Sequence, residues 1–204
     1  SFTRQEANAL ESKMEEYMAV SRTMASMAKD FVNLPDDERK IRQSQLLNNT
    51  LEDNPDLDVT WISWDLEDLD DSWDRNYGRE RHFVVRLPNG TKEINERTDV
   101  NGFDANDFYY KVRDTKAETL IEPYLFDENN VLSDGQLLGT SPVVPIIVDG
   151  KHLGQVGSDI SLEDYQSLTK FEAFMGSYTF LLSSEGKIVA HPDHKIIGKK
   201  FETL

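Results

Sequence analysis

Cysteine is absent from this 204-residue sequence. Disulfides, thiol nucleophiles and thiolate metal centres are therefore excluded, and an oxidising compartment is no hazard to the chain. Basic residues are scarce as well: 22 Lys and Arg stand against 38 Asp and Glu, a formal charge of −16 at neutral pH. Phosphate binding needs clustered Lys and Arg, so the composition argues against nucleic acid as a partner and against docking on anionic lipid. No apolar run approaches the length of a membrane span, and no signal peptide is recognisable. Catalytic signatures are missing too. The sequence has no Gly-x-Ser-x-Gly elbow, no phosphate-cradling glycine loop and no paired-His zinc helix, and no two of its many carboxylates stand out as an acid–base pair. The expectation is a protein that is not an enzyme and holds no metal or cofactor. What is present is core-forming material: 38% hydrophobic residues, with three Trp, seven Tyr and ten Phe. That suits a folded chain of one domain, or one and a fraction.

The chain opens with a helical pattern. Leu10, Met14, Tyr17, Ser21, Met24, Ala28 and Phe31 recur at spacings of four and three, a heptad-like seam that Pro35 terminates. The first half of this seam is expected to pair with a second copy and the second half to pack internally. Asp36 starts another helix through Ile41, Leu46, Leu47 and Leu51, ending near Asn54-Pro55. Val59 to Asp65 reads as a strand with Trp61 and Trp64 on opposite faces. The carboxylate-rich segment from Asp65 to Asp74 lacks the spacing and central Gly of a calcium loop and reads as a solvated loop. Runs His82 to Leu87 and Lys92 to Asn95 flank the hairpin signal Pro88-Asn89-Gly90. Helical pattern returns beyond Leu162, to about Phe171. From Ser177 a new strand–turn–strand unit begins, with Tyr178 to Leu182, Ser184-Glu185-Gly186 and Ile188 to Ala190. His191 and His194 lie three apart but have no third ligand and no helix to align them, so they are not read as a metal site.

The informative stretch runs from Phe103 to Leu162. A short helix from about Asn106 to Lys111 carries Phe108, Tyr109 and Tyr110, and an extended piece follows, ending in Glu122-Pro123-Tyr124. Two apolar runs, Leu137 to Val148 and His152 to Ile160, are joined by Asp149-Gly150, a pair suited to a tight hairpin turn. Period-two geometry puts Gly157 and Asp159 on one face of the second strand. A strand glycine marks a place where something approaches the backbone closely, here beside a carboxylate. The helix after it has its own capping box in Ser161 and Asp164, which leaves the Asp159 carboxylate available for another role. The alternatives are an Asp159 bonded to nearby backbone amides, and aromatics that are core packing.

These pieces resemble, in order, the distal module of a double-Cache (dCache) sensory domain: the aromatic pair Phe108-Tyr109, the segment Glu122 to Tyr124, the proline-containing strand Pro142 to Ile147, and the Gly-x-x-Gly-x-Asp-Ile strand from Gly154 to Ile160. The His191-Pro192 and Ile197-Gly198 pairs resemble the opening of that family's membrane-proximal module. The resemblance implies an α/β (α+β) fold of Cache type, with the long N-terminal helix packed on a PAS-like antiparallel sheet and the start of a second, smaller module. Residues 1–172 would hold the helix and the membrane-distal ligand-binding module, and residues 173–204 the beginning of a membrane-proximal one. It further implies the extracytoplasmic, periplasmic or extracellular, part of an inner-membrane chemoreceptor or sensor histidine kinase. Flanking membrane helices and the cytoplasmic output module would lie outside this sequence.

The implied ligand contacts are Trp64, Asn106, Phe108, Tyr109, Tyr124 and Asp159, with Asn101, Arg113, Phe126 and Ser141 completing the candidate set. In amino-acid-sensing members an Arg holding the ligand carboxylate occupies the place of Asn106, and a Tyr that of Asn101. The ammonium-binding half, Tyr124 and Asp159, is retained. Losing the guanidinium while keeping the aspartate favours an amine-bearing or neutral polar metabolite over an ordinary α-amino acid, unless Arg113, a helical turn beyond Tyr109, reaches in. The rival reading is a protein-interaction or dimerisation module built on the Met-rich first helix, with no small-molecule ligand.

Overall fold

The computed structural model describes residues 2–100, 108–126, 137–170 and 176–203. Its first helix, α1 (Phe2–Ala28), contains neither Gly nor Pro, and the chain turns at Phe31 to Leu34 before Pro35. The burial along α1 is divided as its seam suggests. Tyr17, Met18, Ser21, Met24, Ala25 and Ala28 are buried, whereas residues 4–16 are exposed or half-buried. Helix α2 (Asp36–Asp53) begins with Asp36, Asp37 and Glu38, the charge sign that the N-terminal end of a helix favours. It buries Gln43, Leu46, Leu47 and Leu51.

Strands β1 (Val59–Asp65), β2 (Arg79–Arg86), β3 (Lys92–Asp99), β4 (Thr119–Leu120), β5 (Tyr124–Phe126), β6 (Leu137–Thr140), β7 (Pro142–Val148) and β8 (Lys151–Ser161) make one sheet. Its path runs β3-β2-β1-β8-β6-β5, with β7 also on β8 and β4 on β7, and every pairing is antiparallel. β6 and β7 share one register against β8, Thr140 facing Ile160 and Val143 facing Gly157. The run from Leu137 to Val148 is thus a single line of chain interrupted at Ser141. The turn between β7 and β8 has positive φ at both central residues, 50° at Asp149 and 79° at Gly150. A two-residue hairpin loop of the right twist needs this, and Asp-Gly accepts it.

The two faces of the sheet hold separate cores. On one side Ile62, Trp64, Val84, Ile146 and Val156 pack against Met24, Leu47 and Leu51 of the helices. On the other, Val59, Trp61, Phe83, Val85 and Val143 pack with Val112 of the short helix α4 (Phe108–Thr115). The glycines of β8 are matched to these faces. Trp61 lies in register with Gly157 and Trp64 with Gly154. A Cβ on Gly157 would sit 2.4 Å from Trp61 Cζ2, and one on Gly154 would meet Ser63 O at 2.3 Å and Trp64 Cε3 at 3.1 Å. Each glycine leaves room for one indole, on opposite faces.

Several expectations are adjusted. The segment after β8 is a 3-10 helix (Glu163–Lys170), begun by Ser161 Oγ, which accepts from the Glu163 N–H at 3.2 Å. The carboxylate-rich segment is not wholly solvated: it contains the one-turn helix α3 (Leu66–Leu69), and Asp65 is buried. The last hairpin is shorter than expected, with β9 (Leu181–Leu182) and β10 (Ile188–Ala190). Val189 and Leu181 join it to Leu138 and Leu162 of the main sheet region. An apolar cavity of about 230 Å³ lies at this junction, lined among others by Leu10 and Met14 of α1, Leu120, Leu162 and Leu181.

Candidate functional site

Period-two alternation puts Asp159 on the α4 side of the sheet, in register with Val59 and two residues from Gly157. The carboxylate is 1% exposed. Its Oδ1 accepts from Trp61 Nε1 and from Ser141 Oγ, both at 2.8 Å. The Ser141 hydroxyl is 2.7 Å from the Tyr124 hydroxyl. Since the single serine proton points at Asp159, Tyr124 is the donor in that pair, and a relay runs from Tyr124 through Ser141 to the carboxylate. Ser141 can do this because it occupies the break between β6 and β7, the place in the continuous register that faces Asp159. Phe108 closes the cluster, its ring centroid 6.3 Å from that of Trp61 and 6.4 Å from that of Tyr124. On the outer side Arg81 of β2 places Nη2 3.8 Å from Asp159 Oδ2, with its guanidinium 5.4 Å from the Trp61 ring and 5.0 Å from Phe83.

Of the residues proposed from sequence, the structure brings Phe108, Tyr124, Ser141 and Asp159 together. Trp64 is elsewhere. It stands three residues from Trp61, an odd number, and so on the opposite face of β1, and it is fully buried under α2, its Nε1 donating to Gln43 Oε1 at 2.9 Å. The tryptophan beside Asp159 is Trp61. Tyr109 is an anchor on the neighbouring part of the same face. It is fully buried, its hydroxyl donates to Asp65 Oδ1 at 2.6 Å, and Asp65 Oδ2 accepts from His152 Nδ1 at 2.8 Å. Burial, and then the adjacent Asp65 charge, push the Tyr109 phenol well above the ordinary tyrosine range. Arg113 turns to the outside of α4, donating to Asn76 O at 2.7 Å and lying 4.7 Å from the Tyr110 ring. Asn101 and Asn106 lie outside the described residues, and Phe126 belongs to β5.

Trp61 and Arg81 were not singled out by sequence reading, although a signal existed. Once Gly157 is recognised as a seat for an indole and β1 is set against β8, only Trp61 has the right parity. A cleft of about 540 Å³ borders the cluster, with Phe108 and Tyr124 in its wall together with Val112, Thr119, Ile121 and Glu122. Asp159 is not among its lining residues. Asp58 is a half-buried carboxyl nearby. Burial foremost, with the Asp159 charge contributing, raises its pKa, although it accepts from the Ser161 N–H at 2.8 Å.

Known proteins share this architecture. No family model matches the chain. The extracellular domain of mmHK1S-Z3, described as a histidine kinase, is 27% identical with a TM-score of 0.73, over 96% of this chain and 70% of that one. The ligand-binding domain of the amino acid chemoreceptor PctC of Pseudomonas aeruginosa PAO1, solved in complex with GABA, has a TM-score of 0.58 at 20% identity. That match spans 96% of this chain and 74% of that one. In sequence, 93 residues are 34% identical to the methyl-accepting chemotaxis protein PscA of Pseudomonas syringae pv. tomato, a stretch that is 45% of this chain and 14% of that protein.

Proposed function

We propose that this chain, a dCache-like sensory domain by its fold, is the extracytoplasmic ligand-binding domain of a transmembrane signal-transduction receptor. The observation that carries the reading is the buried Asp159 carboxylate, held by Trp61 and Ser141 and bordered by Phe108 and Tyr124. The ligand is a small polar metabolite with an N–H group for Asp159, amine-bearing or neutral in preference to an ordinary α-amino acid. Phe108, Tyr124, Ser141 and Trp61 form the remaining contacts. No bond is made or broken. Residues 1–172 are the ligand-binding module and residues 173–204 open a membrane-proximal one. Two copies pair along α1, and flanking helices outside this sequence connect the domain to the membrane and to a cytoplasmic output.

A ligand biases such a receptor only through different affinities for its two states. The fold offers a short route for this. Ser21 of α1 donates to Pro142 O at 3.0 Å, and Pro142 follows Ser141, which bonds Asp159. The rival reading, an interaction module presenting a Met-rich helix, is less well supported, because Leu10 and Met14 line the chain's own cavity.

The test is a thermal-shift screen against amines, amino acids, small carboxylates and nucleobases. A ligand at a hundred times its dissociation constant stabilises by about 2.7 kcal/mol. A shift with amines that disappears in Asp159→Asn supports the reading. A shift with α-amino acids overturns the ligand preference but keeps the sensor. Silence across the panel favours the interaction module.

A further inference from the structure

The opposite face of the sheet carries a second cluster, independent of the ligand site. Alternation along β2 puts Glu80 and His82 on one side, and the antiparallel register sets Glu96 of β3 directly opposite His82. One donor atom from each of the three lies within 4.8 Å of the others. His82 is 3% exposed. Its Nε2 is 2.8 Å from Glu80 Oε1 and its Nδ1 is 3.9 Å from Glu96 Oε2.

We propose that Glu80, His82 and Glu96 form a divalent transition-metal site of the zinc class on the β2–β3 hairpin. The donor set is an imidazole and two carboxylates, which suits zinc and its neighbours. Calcium, which takes six to eight oxygens, is poorly served by it. Three protein donors leave a fourth position for water. Tetrahedral zinc at about 2.0–2.2 Å from its ligands sets donors roughly 3.4 Å apart, so the cluster must contract. Glu80 lies at Nε2 and Glu96 on the Nδ1 side of the ring, so an ion on Nε2 beside Glu80 requires Glu96, exposed on β3, to swing across while the buried imidazole stays fixed.

Charge favours a cation here. Asp36, Glu80 and Glu96 converge here: Lys40 Nζ is 3.0 Å from Glu96 and 3.4 Å from Asp36, Arg39 pairs with Asp36, and Glu80 pairs with His82. A bound ion takes the place of Lys40 at Glu96 and ties β2 to β3 through their side chains as well as their backbones.

Titration calorimetry of zinc chloride into the untagged 204-residue protein tests this. The expected result is one saturable equivalent. Glu96→Gln and Glu80→Gln each weaken it tenfold or more, with unchanged far-UV circular dichroism, and Lys40→Gln tightens it by removing the competing ammonium. Cobalt in place of zinc gives the visible absorption of a tetrahedral site in the wild type and loses it in Glu96→Gln. Two results overturn the proposal: no saturable binding by the wild type, or binding left intact in both glutamine variants, which would place the ion on other carboxylates of this acidic surface.

Discussion

Gly157 shows how much one missing side chain can decide. Its place in β8 is filled by the Trp61 indole, and an added Cβ would stand 2.4 Å from that ring. Overpacking of this kind costs about 1–3 kcal/mol. Gly157→Ala should therefore lower the unfolding free energy obtained from urea titration by that much and, by lifting the indole off Asp159, abolish ligand response. Asp159→Asn separates charge from shape. It keeps an acceptor for Trp61 and Ser141, so the fold should survive with a loss within about 1–3 kcal/mol while binding of a cationic ligand disappears. Retained affinity would show that Asp159 is structural. At this scale the sequence was only half legible. Alternation sufficed to place Gly157 and Asp159 together, but choosing between Trp61 and Trp64 required the pairing of β1 with β8, a long-range register that no local pattern encodes. Ser141 was named without a role, because its role comes from a strand break opposite Asp159.

Among elements, α4 is the piece whose position sets the site, since it carries Phe108 and is pinned by the next residue. Tyr109 bonds Asp65, which His152 in turn orients. Tyr109→Phe should cost about 1–2 kcal/mol at neutral pH. It should also change the alkaline limb of stability. The folded phenol has a raised pKa, so the unfolded chain releases its proton first, near pH 10. Stability from this group is complete below that pH and falls as pH rises through the folded value. Tyr17, pushed up to about 12 by burial, contributes in the same direction. Urea midpoints measured on either side of about pH 10 should show a shallower fall in Tyr109→Phe than in the wild type; parallel curves would mean the phenol does not titrate as placed. Tyr109 was expected at the ligand, and nothing in its own neighbourhood foretold otherwise. Its partners come from the far end of β1 and the start of β8.

For the whole molecule, helix positions and strand runs were read with most fidelity because they rest on local periodicity. The bounds of β1, Val59 and Asp65, and the Asp149-Gly150 turn fall where expected. The shortened last hairpin and the 3-10 segment after β8 were less legible, since packing against Leu138 and Leu162 decides them. In the proposed receptor the signal passes from the site to α1, and Ser21 is a point where the helix bonds the strand beside the site. Ser21→Ala should leave ligand affinity within about twofold while reducing output in a receptor chimera, at a cost of roughly 1 kcal/mol in stability. Equal output would remove this hydrogen bond from the route. Pairing of two copies along α1 predicts a sedimentation coefficient that rises with concentration and with ligand.

The contact between Trp61 and Asp159 has one more consequence. An indole whose N–H is held by a buried carboxylate emits according to the charge and wetness around that bond, and only Trp64 and Trp73 share its spectrum. Trp64 is sealed beneath α2 and Trp73 is bonded to the carbonyl of Tyr77. The domain therefore contains its own optical gauge: any molecule that draws on Asp159 should register as a change in Trp61 emission, with no label attached.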